Sequence, residues 1–249
     1  METVRLSLTD MSNPLILAST RDFFIAYKPP KMHSAPGNGE SLTGWCSTFF
    51  PEIMDLHRIS GSSGSINSVR NKDGGLLHRL DYETQGLVLF ARRQDSFDQL
   101  LTEQNQGKMI KEYGAFASKV EKLPAGFPCF TGTFPGTLES DFRPYGPGRK
   151  EVRPLKEGKQ YYTEILEEQQ TGSDEVRYLR LRIHRGFRHQ IRCHLAWAGF
   201  PVLNDPLYGG KKMGTGILAL RAQGIEFIDP GCGEKLHYTL LALSLSDLF

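Results

Sequence analysis

Two short apolar runs open the chain. PLILASTRDFFIAYKPP, residues 14–30, breaks at Thr-Arg-Asp and closes on a proline pair, which predicts two strands joined by a turn. SLTGWCSTFFPEIMD, 41–55, has room for a short helix. SGSSGSINSVRNKDGG, 60–75, is rich in Gly, Ser and Asn, the composition of a mobile surface loop inserted into a domain. GLVLFA, 86–91, predicts a buried strand, and RQDSFDQLLTEQNQG, 93–107, spaces Phe97, Leu100 and Leu101 as a helix does, with Gly107 as its stop. MIKEYGAFASKV, 109–120, alternates as a strand. Residues 122–158 hold many Pro and Gly with little periodicity and are expected to be loop-rich, with short strands at most.

QYYTEILEEQQTGSDEVRYLRLRIH, 160–184, predicts a hairpin that turns between Thr171 and Asp174. FRHQIRCHLAWAGF, 187–200, predicts a helix with Ile191, Leu195 and Ala198 on one face, ended by Gly199 and Pro201. GILALRAQGIEFID and KLHYTLLALSL, 216–229 and 235–245, read as strands with a short helix between them. The expected fold class is α+β: a mixed, mainly antiparallel bent sheet flanked by helices and loops.

Composition narrows the function. No apolar run reaches the ~18 residues of a membrane span, and METVRLSLTD lacks the layout of a secretory signal, so a cytoplasmic protein is expected. Cys46, Cys129, Cys193 and Cys232 are scattered, without CxxC or zinc-ligand spacing; reduced thiols and no metal are expected. The net charge of +2 says little until its distribution is seen. Residues 143–159 hold six Lys/Arg against two Glu, and residues 177–194 hold six Arg and three His with no acid. Arg177, Arg180 and Arg182 alternate with Leu179, Leu181 and Ile183, as on the solvated face of a strand. Arg185, Arg188 and Arg192 follow that strand, with His184 and His189 around Gly186, and point to a polyanionic partner, nucleic acid.

Asp81, in GGLLHRLDYETQGLVLFA, stands between an apolar approach and a buried strand. It admits two readings. As a turn residue it caps Tyr82 and Glu83. As a reactive group it needs a cation or a solvent path to stay charged, and an Arg within about 4 to 6 Å would keep it ionised at neutral pH. LHRIS, 56–60, nearly repeats LHRLD, 77–81, with serine in place of the acid.

LLHRLDYETQGLVLFA resembles the HRLD-xx-T-x-G signature of the RluA-type pseudouridine synthases. DFFIAYKPPKMHSAPG resembles that family's opening strand and Lys-Pro motif, KEYGAF its K-x-Y-x-A segment, and GFRHQIRCHLAWAGFPVLNDPLYGG its HQIR-x-HL helix and D-x-x-Y-G loop. The four motifs occur in order over about residues 16–210.

The resemblance implies a fold with a central active-site cleft and an RNA pseudouridine synthase, an isomerase that needs no cofactor. Asp81 would be the catalytic carboxylate, Tyr113 the ring against the target uracil and Arg192 the cation paired with Asp81. Arg79 would enter the space vacated when the nucleotide flips out. Lys28, His78, Thr84, Arg188, Gln190 and Ile191 join Arg79 at the substrate, Lys28 positioning backbone or phosphate rather than acting in catalysis. His78, His189 and His194 also fit structural hydrogen bonding. Arg149, Lys150 and Arg153 would meet RNA backbone, in rRNA or tRNA.

The chain has Thr84-Gln85-Gly86 where the family usually reads Thr-Ser-Gly. It has Gly186-Phe187-Arg188-His189-Gln190 where the family usually reads Gly-Arg-Thr-His-Gln. The second departure moves an arginine one position along the predicted helix, about 100° around its axis. Because the opening motif begins within the first 20 residues, residues 1–249 are expected to form a single catalytic domain, a monomer, without a separate N-terminal RNA-binding domain. Two alternatives stay open: a non-catalytic RNA-binding protein on the same scaffold, and an N-glycosidase, for which no convincing second carboxylate stands near Asp81.

Overall fold

The computed structural model describes residues 2–6, 11–37, 39–60, 67–172 and 175–248. In chain order the elements are β1 (Glu2–Leu6), β2 (Leu15–Ser19), β3 (Phe23–Lys28), α1 (Leu42–Ser47), β4 (His57–Ser60), β5 (Asn67–Arg70), β6 (Gln85–Ala91), α2 (Gln94–Asn105) and β7 (Ile110–Ser118). There follow β8 (Thr137–Tyr145), β9 (Glu151–Leu155), β10 (Tyr161–Gln170), β11 (Val176–Ile183), α3 (Gln190–Trp197), β12 (Leu220–Ile228) and β13 (Lys235–Leu240). The architecture is α+β with predominantly antiparallel pairing, as the sequence pattern predicts. The chain divides into two compact units, residues 1–109 with 224–241, and 110–223 with 242–249.

In the first unit β3 pairs antiparallel with β2 and with β6. The turn between β2 and β3 is closed by Thr20, whose hydroxyl accepts from the amides of Asp22 and Phe23. β3 and β6 are buried at every position, which explains why both read as continuous apolar runs without alternation. On one face Phe23, Ile25, Tyr27, Leu87 and Leu89 join Phe97 and Leu100 of α2. On the other Phe24 stacks between Phe50 and Phe90 at 4.4 and 4.8 Å. α1 is capped by Ser41, whose side chain accepts from the Gly44 amide. β13 pairs antiparallel with β12 and parallel with β1.

In the second unit the strand order is β7-β11-β10-β8-β9, antiparallel throughout. On one face Arg182 Nη2 reaches Glu112 at 2.9 Å and Arg180 Nε reaches Glu167 at 3.2 Å, while on the opposite face Arg177 pairs with Glu168. The alternating arginines of β11 are therefore neutralised across strands. α3 lies against β8, β9 and β10, with Cys193 and Ala196 among Phe142, Val152 and Tyr208.

Four expectations change. Of the Gly/Ser-rich stretch, residues 67–70 form a strand paired with β4, while 61–66 lie outside the described residues. The stretch 122–158 contains the β8–β9 hairpin, hidden in the sequence by Pro144, Gly146, Pro147 and Gly148 at and beside its tip. Residues 229–234 make a turn, with the Asp229 amide donating to Glu234 O and the Gly233 amide to Asp229 O, not a helix. α3 begins at Gln190, after His189 in a left-handed conformation, so Phe187 and Arg188 precede the helix and the 100° argument does not apply to them.

One glycine fixes the approach to Asp81. Gly75 O accepts from the Ala91 amide at 2.8 Å, and a Cβ on Gly75 would run into the Ala91 carbonyl oxygen. Gly75→Ala is expected to destabilise the protein by about 1–3 kcal/mol, seen as a lower urea midpoint with an unchanged slope.

Candidate active site

The HRLD segment folds back along its own strand. Leu77 donates to Leu89 O at 3.1 Å, Leu76 bridges Phe90, and the Thr84 amide donates to Asp81 O at 3.1 Å. Asp81 thus occupies the first position of a turn leading into β6, half-buried, with Tyr82 exposed at the tip. The turn is held from behind by the Lys-Pro segment. Tyr82 O accepts from the Lys31 amide at 2.7 Å and from Lys28 Nζ at 3.3 Å. Ser34 Oγ both donates to Leu80 O at 2.8 Å and accepts from the Leu80 amide at 2.9 Å, doing the work of a missing strand neighbour.

Lys28 is fully buried, and its Nζ also donates to Pro29 O and Met32 O at 2.9 and 2.8 Å. Burial lowers its pKa to about 7, opposed by the charges of Asp81 and Glu83. Among the other residues assigned to this unit, His78 Nε2 accepts from the Leu89 amide at 3.2 Å and Thr84 is buried. Arg79 points outward, its side chain 62% exposed, in an ion pair with Asp73. Gln85, in the place of the family's usual serine, accepts a 2.6 Å hydrogen bond from Tyr27.

In the second unit Tyr113 is buried on β7 opposite Leu181, on the strand face shared with Lys111. Lys111 is also buried, and burial pushes its amine down to about 8. Arg192 is wholly excluded from solvent. Its Nε and Nη2 grip Asp205 at 2.7 and 2.9 Å, and its guanidinium lies 5.6 Å from the Tyr208 ring centre. Asp205 Oδ1 accepts further from the amides of Leu207 and Tyr208. The sequence pattern contained this aspartate in its D-x-x-Y-G loop, but nothing in the spacing said which cation it meets.

Gln190 is buried, accepting from the Phe187 amide and donating to Tyr162 O and Thr163 Oγ1, and Ile191 is buried beside it. Arg188 donates to the carbonyls of Arg149 and Glu151. Arg149 and Lys150 are exposed, whereas the Arg153 guanidinium lies over Tyr145 and donates to Gly126 O. His194 bridges Ser140 and Thr163, each at 2.9 Å, and burial pushes it down to about 3.

The family model for RNA pseudouridylate synthases matches residues 22–197, which contain the Lys-Pro segment, the Asp81 turn, Tyr113 and Arg192. The chain belongs to that family. It is 27% identical over 197 residues to an RNA pseudouridine synthase of Aquifex aeolicus, covering 79% of this chain and 56% of the relative. It is 26% identical over 201 residues to the ribosomal large subunit pseudouridine synthase D of Escherichia coli, covering 79% and 52%. The chain thus spans a little over half the length of these relatives. Human RNA pseudouridylate synthase domain containing 1 has the same fold, with a TM-score of 0.62 at 18% identity, covering 97% of this chain and 89% of that one. Among the described residues no helix is long and apolar enough to cross a membrane.

Two stability measurements check this arrangement. Asp205→Ala removes the bidentate partner of a buried guanidinium and is expected to cost about 3–5 kcal/mol by urea denaturation. For His194, the unfolded chain takes up a proton below about 6.5 that the folded protein refuses until about 3. Stability is therefore complete above that window and falls as pH drops through it, by up to about 1.4 kcal/mol per pH unit. His194→Gln is expected to remove that component from the stability–pH curve.

Proposed function

We propose that this chain is an RNA pseudouridine synthase that isomerises particular uridines of rRNA or tRNA, acting in the cytoplasm as a monomer. The observation that carries the proposal is the Asp81 turn. A carboxylate stands at the first position of a turn that is braced by Ser34, Lys31 and Lys28, in a chain that matches the family over residues 22–197. In this proposal Asp81 is the catalytic carboxylate, Tyr113 lies against the uracil and Arg192, while gripping Asp205 through Nε and Nη2, is also the cation that pairs with Asp81.

The reaction breaks the N1–C1′ bond and forms a C5–C1′ bond. A proton leaves C5 and one is gained at N1, so the mass of the RNA is unchanged. A carboxylate can assist these steps without a redox change. Neither C1′ nor C5 is accessible in a base stack, so the nucleotide must flip out at a cost of a few kcal/mol. Stacking on Tyr113 offsets about 1–3 kcal/mol of that. Arg79, exposed and paired with Asp73, would exchange that partner for the vacated space, because exposed pairs contribute about 1 kcal/mol or less. Thr84, Ile191, Lys28, His78 and Gln190 belong to the same proposed substrate-binding set.

Asp81→Asn tests the assignment with little change of shape. Isomerisation of a mixed tRNA and rRNA substrate is expected to fall at least about 10³-fold while RNA affinity stays within about threefold, since the lost group acts in the transition state. Retained isomerisation would remove Asp81 from the chemistry. Release of free uracil by the parent chain would indicate hydrolysis, and RNA binding without any product would favour the non-catalytic scaffold.

A further inference from the structure

The departure Phe187-Arg188 has a local partner, the β8–β9 hairpin. Phe187 stacks on Phe142 of β8, ring centres 5.2 Å apart and planes within 14°, and packs against Tyr161. Arg188 Nη2 donates to two backbone carbonyls at the hairpin tip, Arg149 at 2.8 Å and Glu151 at 3.1 Å. The tip passes through three left-handed residues, Gly146, Gly148 and Arg149, with φ of 75°, 64° and 54°. Two are glycines; Arg149 holds the conformation despite its Cβ, beside the guanidinium bound to its own carbonyl.

The start of β9, just past the tip, is anchored separately. Tyr208 Oη accepts from the Val152 amide at 2.9 Å, and Cys193 Sγ donates to Val152 O at 3.4 Å. Tyr208 in turn follows Asp205, the partner of Arg192. Beyond these anchors the hairpin presents the exposed side chains of Arg143, Arg149 and Lys150.

We propose that Arg188 is a positioning residue that latches the tip of the β8–β9 hairpin to the entrance of α3, so that Arg149 and Lys150 meet the phosphate backbone of RNA in one fixed orientation. The proposal rests on the chain acting on RNA. Arg188 is exposed, so its bonds to the carbonyls add little to global stability, yet they hold a segment that would otherwise hinge at three left-handed residues. Ordering the tip beforehand lowers the entropy lost when RNA docks. The usual family pattern, with arginine one position earlier, puts Phe187's stacking position in the hands of a charged residue. In this chain the aromatic ring is packed and the guanidinium is brought round to the tip.

The test combines amide exchange with a double-mutant cycle, using bulk tRNA as the RNA probe. Arg188→Ala is expected to speed exchange of the Arg149 amide, which donates to Gly146 O within the tip, while the separately anchored Val152 amide and amides of α2 keep their rates. It is expected to weaken tRNA binding about two- to tenfold, the range for coupled neighbours. In the Arg149→Ala/Lys150→Ala background, Arg188→Ala is expected to change affinity less than twofold, because the charges it orients are gone. Arg188→Gln, which keeps one donor and loses the charge, is expected to give intermediate exchange.

Unchanged exchange in Arg188→Ala would overturn the latch, as would losses that simply add across the cycle, which would make Arg188 a direct phosphate contact. A parent chain that binds no RNA would overturn the functional proposal while leaving the exchange result to judge the latch alone.

Discussion

A guanidinium and a carboxylate removed entirely from water must neutralise each other, and the Arg192–Asp205 pair is the point around which the second unit is arranged. Desolvating either charge alone would cost several kcal/mol, so the bidentate geometry is a condition of the fold rather than an addition to it. Meeting it fixes α3, which carries Arg192, and the loop after it, which carries Asp205 with its two extra amide donors. From there the constraint spreads through Tyr208 to Val152 in β9 and through Gln190 to Tyr162 and Thr163 in β10.

The first unit solves a related problem with a different cation. Lys28, fully buried, is surrounded by the carbonyls of Pro29, Met32 and Tyr82, and its charge opposes those of Asp81 and Glu83. Lysine loses its proton when desolvated and arginine does not. The support behind the Asp81 turn is therefore sensitive near neutral pH, whereas the support in the second unit is permanent. The neutral His194, bonded to Ser140 and Thr163, adds a polar contact behind α3 that carries no charge down to about pH 3.

The elements with strong periodicity were legible from residues alone. β3, β6, α2 and the β10–β11 hairpin stand where the apolar spacing puts them, because in each the burial pattern is local. The β8–β9 hairpin was not legible: its tip uses Pro and Gly for a left-handed turn, and the same residues mark an unstructured loop. Asp81 was conspicuous because an acid after apolar residues is costly unless supported, and the structure places it at a turn inside a family motif. Its supports Ser34 and Lys31 lie 46 or more positions away in sequence and carry no pattern of their own. Asp205 was hidden for the same reason, since ion partners across a fold share no spacing rule.

The claim that this chain isomerises uridines is tested most directly by mapping pseudouridine across total cellular RNA from cells lacking the protein and from the same cells re-expressing it. The account predicts at least one rRNA or tRNA position that is uridine in the first map and pseudouridine in the second. Identical maps would contradict it.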